Sequence, residues 1–143
     1  MPASAFIDTN IFVYQLDNAD PRKQAIADEI IRDALANGSG CISYQVVQEC
    51  LNVATRKSKV ALDAASAERY LDVVLEPLRV VPASTRLYRD GLAIQAHYRF
   101  SFYDSMIVAA ALSAGCTTLY SEDLQHGQRI EALTVVDPFR PES

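Results

Sequence analysis

Four carboxylates stand at positions from which they could do chemistry. Asp8 directly follows a short apolar run, in the segment Phe6-Ile7-Asp8-Thr9-Asn10. Glu49 lies in Ser43-Tyr44-Gln45-Val46-Val47-Gln48-Glu49, Asp104 opens the most apolar stretch of the chain, and Asp123 stands in Ser121-Glu122-Asp123-Leu124. Carboxylates brought within a few ångströms repel, and one must take up a proton unless a cation compensates. Hard oxygen donors with no His or Cys among them select Mg²⁺ or Mn²⁺ over zinc. Such an ion offsets the charge of a phosphate ester and lowers the pKa of a bound water. If the four acids meet, the chemistry they suggest is metal-assisted hydrolysis.

Each acid also has an ordinary explanation. Asp8 fits a turn, with Thr9 or Asn10 capping a short helix. Glu49 projects far from the apolar stripe of Val46, Val47, Cys50, Leu51 and Ala54, on a face that water can cover. Ser101 and Asp104 have the spacing of a capping box. Asp123 can cap a helix at Leu124 and Gln125. Taken singly these readings suffice, but they do not explain why acids recur where strands end and a buried helix begins.

The elements that would position them alternate. Ala5-Phe6-Ile7 reads as a strand. Asp20-Pro21 starts a helix, because Asp caps it and Pro loses no hydrogen bond at the first helical position; Gly38 stops it. Cys41-Ile42 is a second strand, after which Ser43 caps the Glu49 helix. Asp63 caps a further helix carrying Ala67, Tyr70, Leu71 and Val74. Residues 78–81 form a strand closed by Pro82, and Ser84 opens a helix with Leu87, Gly91 and Ile94. A very apolar helix over residues 103–114 ends at Gly115. Strands at residues 117–120 and 134–136 follow, the last closed by Asp137-Pro138. Alternation of this kind predicts βαβ units and a mostly parallel sheet with helices on both faces. In such sheets ligands bind beyond the carboxyl ends of the strands, where Asp8 and Asp123 fall.

Composition narrows the class. The 143 residues carry 13 basic and 18 acidic side chains, a formal net charge of −5, and half are hydrophobic. A chain of this length buries enough surface for a core without disulfides or structural metal. Three cysteines without a CxxC pair give neither a disulfide framework nor a zinc site, which points to a reducing cytosol. The longest apolar run, residues 106–112, is too short for a bilayer, and no secretory leader is legible. The negative balance argues against holding nucleic acid by bulk charge. Without the four acids the formal charge would be −1, so much of the acidity is concentrated in them.

The segments FIDTN, SYQVVQE, RFSFYDSMIVAAAL, LYSEDLQHG and VVDPF, in this order, resemble the PIN-domain ribonucleases, most closely the VapC-type toxins of toxin–antitoxin pairs. The resemblance spans nearly the whole chain. It implies a single PIN-like nuclease domain over residues 1–143, with a three-layer α/β/α sandwich and a mostly parallel central sheet. It maps the family's four acids to Asp8, Glu49, Asp104 and Asp123. Thr9 or Asn10, and Ser121, would orient ligands or water, and Glu122 would be an auxiliary acid. The implied activity is Mg²⁺- or Mn²⁺-dependent endonucleolytic cleavage of RNA. The implied partners are a cognate antitoxin covering the active-site groove and a second copy in a homodimer.

On this reading water attacks in line and leaves a 5′-phosphate. The only two histidines, His97 and His126, offer no pair to drive attack by a 2′-hydroxyl. Arg56, Lys57 and Lys59 follow the Glu49 helix as contacts for RNA phosphates, and Tyr44, Arg99, Phe100 and Phe102 serve stacking or packing. Two other Asp-after-strand-one enzymes are excluded. A haloacid-dehalogenase-type phosphatase needs a second Asp where Asn10 stands, and a receiver domain needs a late Lys, whereas the last here is Lys59. The remaining alternative is a catalytically silent PIN-like module that only binds protein.

Overall fold

The computed structural model describes residues 4–56 and 61–141. Ala5–Ile7 form β1, and the chain turns at once into helix α1, Thr9–Leu16. Helix α2 runs Pro21–Asn37. The Asp20 carboxylate accepts the Lys23 N–H at 3.1 Å, and Gly38 ends the helix at φ +64°, a conformation that costs a residue without Cβ little. Strand β2 is Gly40–Ser43 and α3 is Tyr44–Arg56. Helix α4, Ala64–Tyr70, is capped by Asp63 and continues as a π-helical turn over Leu71–Leu75. Then come β3 (Arg79–Val81), α5 (Thr85–Tyr98), α6 (Phe102–Ser113), β4 (Thr118–Tyr120), β5 (Arg129–Ile130) and β6 (Leu133–Val136).

The strands form one sheet of order β3-β2-β1-β4-β6-β5. All neighbours pair in parallel except β5 with β6, a short antiparallel hairpin at the edge. This is the expected α/β/α sandwich with a mostly parallel sheet. Helix α1 packs on α2 and α3, and α5 packs on α6. Phe6, Ile7, Cys41, Ile42, Leu119 and Val135 are fully buried along the strands. The central strands β1 and β2 are covered on both faces and read as nearly continuous buried runs, whereas β4 and β6 alternate buried and half-buried positions and β3 is exposed at the edge. Helix α6 is likewise buried from Ser105 to Ala111.

Close approach sets the α5–α6 contact. A Cβ on Gly91 would overlap the Met106 sulfur and force that thioether to shift, so the glycine leaves room for the Met106 side chain between α5 and α6. Cys41, Cys50 and Cys116 are buried free thiols.

Two details differ from the sequence expectation. The β5 strand is not legible in the sequence, because two residues, one of them an exposed Arg, carry no periodicity. The helix after Asp8 is a full eight residues and its cap is Asp8 itself, not Thr9 or Asn10. The strand order reverses between β1 and β4. Both lie at the centre of the sheet, and from them the chain winds outward in opposite directions.

Candidate active site: a rim of four carboxylates

At that reversal the loops leaving adjacent parallel strands diverge and open a crevice. Asp8 leaves β1 into it, and Ser121 leaves β4 beside it. The ladder carries on past the strand ends, with the Asp8 N–H donating to the Tyr120 carbonyl at 3.0 Å and Ser121 N–H to Val136 at 3.1 Å. The two residues are therefore fixed to each other by sheet geometry.

Asp8 is 6% exposed and both its oxygens are engaged. Oδ1 accepts the Thr9 N–H at 2.7 Å, the helix-capping bond, and Oδ2 accepts the Ser121 hydroxyl at 2.8 Å. Ser121, 0% exposed, in turn accepts the Asp123 N–H at 3.2 Å. Thr9 turns its hydroxyl the other way and donates to Glu49 Oε1 at 2.9 Å. A relay thus runs from Glu49 through Thr9, Asp8 and Ser121 to the Asp123 backbone.

Glu49 comes from α3, whose start is set by Ser43 Oγ accepting the Val46 N–H. Its exposure is what the helical stripe predicts, yet the exposed face is the one turned toward Asp8. Asp104 comes from the first turn of α6, where Ser101 Oγ accepts the Asp104 N–H at 3.2 Å. Among the described residues the return half of the capping box, Ser101 N–H to the Asp104 carboxylate, is not formed. That carboxylate remains unengaged beside Asp123. The Gln45 amide donates to the Tyr103 carbonyl at 3.3 Å and ties the start of α3 to the start of α6. No helix follows Asp123, so it caps nothing.

The electrostatics show that the four acids feel one another. Burial pushes the Asp8 carboxyl up to about 6; its two hydrogen bonds oppose this, and the Asp123 and Glu49 charges add to it. The Asp123 carboxyl is raised as well, first by loss of water around it and then by the Asp104 charge. Asn10 eases that shift from beside Asp123. Neither side-chain atom of Asn10 makes a hydrogen bond of good geometry, although both are sealed from solvent. A buried amide left in that state costs about 1–3 kcal/mol. Helix N-termini at Asp8 and Asp104 offset little, about 0.3–1 kcal/mol each.

This is an arrangement that gains from a cation. As placed, no three His, Cys, Asp or Glu side chains among the described residues are gathered closely enough to coordinate one ion. The donors nevertheless have the right chemistry: hard oxygens, one of them largely desolvated, and an amide with an unmet oxygen. By these criteria the residues fit a hard divalent ion.

Other residues singled out by the sequence lie elsewhere. Glu122 turns away from the rim, its carboxylate accepting the Tyr14 hydroxyl at 2.6 Å and pairing with Lys23 Nζ at 2.5 Å. Its expected place as an auxiliary acid is thus occupied by an ion pair. Arg56 is exposed at the end of α3, reaching Asn52 at 3.4 Å. Lys57 and Lys59 lie outside the described residues. His126 accepts the Asp137 N–H through Nδ1, and the His97 ring meets Tyr98 edge-on. Lys23 and Tyr14 were not marked by the sequence. Nothing in a Lys three residues past a helix cap signals a partner 99 positions away.

Comparison with known proteins agrees with the geometry. Residues 5–129 match the PIN domain. Among solved structures, the chain is similar to a toxin–antitoxin complex from Klebsiella pneumoniae, at TM-score 0.67 and 19% identity over 96% of this chain and 100% of that one. It is similar to DNA-bound VapBC from Salmonella typhimurium, at TM-score 0.66 and 20% identity over 93% and 96% of the two chains. It is also similar to Mycobacterium tuberculosis VapC20, a sarcin–ricin loop cleaving toxin, at TM-score 0.62 and 18% identity over 84% and 90%. At these identities the likeness is one of fold. No curated protein matches.

Proposed function

The chain belongs to the PIN-domain family, and from that premise we propose that it is a divalent-metal-dependent endoribonuclease acting as the toxin of a toxin–antitoxin pair. The observation that carries the reading is the rim itself. Acids from the end of β1, from α3, from α6 and from the turn after β4 feel one another's charge pairwise, Asp8 with Asp123 and Glu49 and Asp123 with Asp104, near the point where strand order reverses. The buried Asp8 carboxyl, raised to about 6 with the Asp123 and Glu49 charges adding to the effect of burial, favours this reading over a catalytically silent protein-binding module.

Asp8, Asp104 and Asp123 are the residues that would hold Mg²⁺ or Mn²⁺, with Glu49 completing the set. When bound, such an ion offers charge neutralisation of a phosphodiester and a more acidic water. The chain's own groups do the positioning. Thr9 N–H and Ser121 Oγ fix both oxygens of Asp8, so its carboxylate plane is set before substrate arrives. Thr9 Oγ1 holds Glu49 by Oε1 and leaves Oε2 free, on an exposed side chain, to accept a proton from an attacking water. Asn10 keeps its unmet amide beside Asp123. His97 and His126 stand apart from this work, so attack is by water and the products carry a 5′-phosphate.

Relatives of this fold include toxins solved with their antitoxins, which supports an antitoxin partner for this chain. We extend the reading to one catalytic domain, a homodimer and a cytoplasmic location. Among the described residues no helix is long and apolar enough to cross a membrane.

The test is direct. Antitoxin-free protein is incubated with structured RNAs with and without Mg²⁺, beside Asp104→Asn. The expected result is metal-dependent cleavage that falls by at least about a hundredfold in the variant, the scale for removing one preorganised electrostatic group. Cleavage indifferent to Mg²⁺, or equal in Asp104→Asn, overturns the reading.

A further inference from the structure

Asp123 sits in a turn with no helix or strand to hold it, yet it faces one particular side. The residue before it shows why. Glu122 is 27% exposed and is held from two helices at once: Lys23 of α2 pairs with Oε2 at 2.5 Å, and Tyr14 of α1 donates to Oε1 at 2.6 Å. Lys23 Nζ also donates to the Tyr14 hydroxyl at 3.1 Å. The ammonium stands 4.6 Å from the Tyr14 ring centroid and 5.4 Å from that of Phe139, and the two rings meet edge to face at 4.8 Å. Arg22 fixes the Phe139 carbonyl at 2.7 Å. The cluster therefore joins α1, α2, the turn after β4 and the segment after β6 at one cation.

Lys23 gains nothing from its own helix. It lies in the first turn of α2, where a cation opposes the helix dipole. Its charge is used on Glu122 instead. With Glu122 drawn toward α1 and α2, and Ser121 bound to Asp8, both residues before Asp123 are fixed. The Asp123 carboxylate then lies near enough to feel the Asp104 charge and the Asn10 amide, with the Glu122 charge a smaller influence. The same ion pair keeps a fifth carboxylate out of the rim.

We propose that Lys23 is a positioning residue: through Glu122 it fixes turn 121–123 so that Asp123 presents its carboxylate to the acid rim. The local claim stands on geometry alone, and its consequence for cleavage rests on the nuclease reading above. Catalytic groups misplaced by about 1 Å lose up to a hundredfold in rate.

The test uses the intact protein as Lys23→Met, Glu122→Gln, the double variant and Lys23→Arg, each confirmed folded by circular dichroism. Amide hydrogen exchange reads the local claim, because the Asp123 N–H is held by Ser121 Oγ. In Lys23→Met this amide is expected to exchange at least about tenfold faster while β4 amides keep their protection. Mg²⁺ affinity by calorimetry and single-turnover cleavage are each expected to fall about tenfold. RNA binding should be unchanged, the double variant should be no worse than Lys23→Met, and Lys23→Arg should restore most of the loss. Unchanged Asp123 exchange in folded Lys23→Met overturns the proposal. So does a gain in Mg²⁺ affinity when Glu122 is released, which would make Glu122 a ligand. If wild-type protein cuts no RNA, the nuclease reading fails while exchange still decides the role of Lys23.

Discussion

Around Glu122 the charges are matched: its oxygens take the Tyr14 hydroxyl and the Lys23 ammonium at 2.6 and 2.5 Å. One residue further on, Asp123 lies beside the Asp104 carboxylate and the Asn10 amide, which makes no hydrogen bond of good geometry. Burial alone would raise the Glu122 carboxyl, but Lys23 and Tyr14 outweigh it and hold it below the usual range. Asp8 and Asp123 are pushed the other way. Two regions joined by a single peptide bond thus respond to pH with opposite sign. A carboxylate paired in the fold stabilises above its unfolded pKa and loses that contribution as pH falls through its folded value. A carboxylate raised in the fold favours folding when protonated and costs stability as pH rises. The clamp is built to hold the structure; the rim stores unfavourable charge for a ligand to relieve.

The largest effect expected is at Asp8. Its carboxyl moves from the ordinary 3.8 to about 6, so ionising it in the fold costs about 3 kcal/mol relative to the unfolded chain. That cost sets in between about pH 4 and pH 6 and is complete at pH 7. Urea unfolding of Mg²⁺-free protein should show the Asp8→Asn variant gaining on the wild type across this window. The gain will be less than the full figure, since the amide cannot accept from both Thr9 and Ser121. A constant difference between the two proteins from pH 4 to pH 7 breaks the comparison.

Mg²⁺ should act on the rim and leave the clamp alone. At a hundred times its dissociation constant a ligand of the folded state adds about 2.7 kcal/mol. For a domain of this size that raises Tm by several degrees. The rise should vanish in Asp8→Asn with Asp104→Asn combined and persist in Tyr14→Phe. An equal rise in all three proteins would show that Mg²⁺ binds elsewhere.

The sequence carried the sheet's order of elements because its punctuation is chemical. Asp20-Pro21, Asp63, Ser84 and Ser101 each cap a helix where expected, and Gly38 and Gly115 end theirs at positive φ. The resemblance supplied which acids to consider, and strand ends told where they would lie. What could not be read was the direction of a side chain in irregular backbone. Glu122 and Asp123 are alike in charge and adjacent, and no pattern of types distinguishes them. Their separation depends on Lys23 and Tyr14, which reach them only after α1 and α2 have packed. The role of Ser121 was legible only as an orienting residue, because its bond to Asp8 spans 113 positions and exists only once β4 pairs with β1.

The smallest effect sharpens the comparison most, because it removes a single oxygen from the matched region. Tyr14→Phe deletes the hydroxyl that donates to Glu122 and accepts from Lys23. The ring remains, so its edge contact with Phe139 and its face toward Lys23 are kept. A hydrogen bond to a charged group contributes about 1.5–3 kcal/mol. Here the ammonium stays paired with Glu122 and water reaches the site, so the net loss should be about 1 kcal/mol by urea unfolding at pH 7. Toward acid pH the loss should shrink, since Glu122, held below its usual range by Lys23 and Tyr14, finally protonates and the pair dissolves. Cleavage should change by less than about threefold, because Lys23 still holds the turn before Asp123. A loss in cleavage as large as that of Lys23→Met would mean that the hydroxyl, and not the ammonium, holds Glu122 away from the rim.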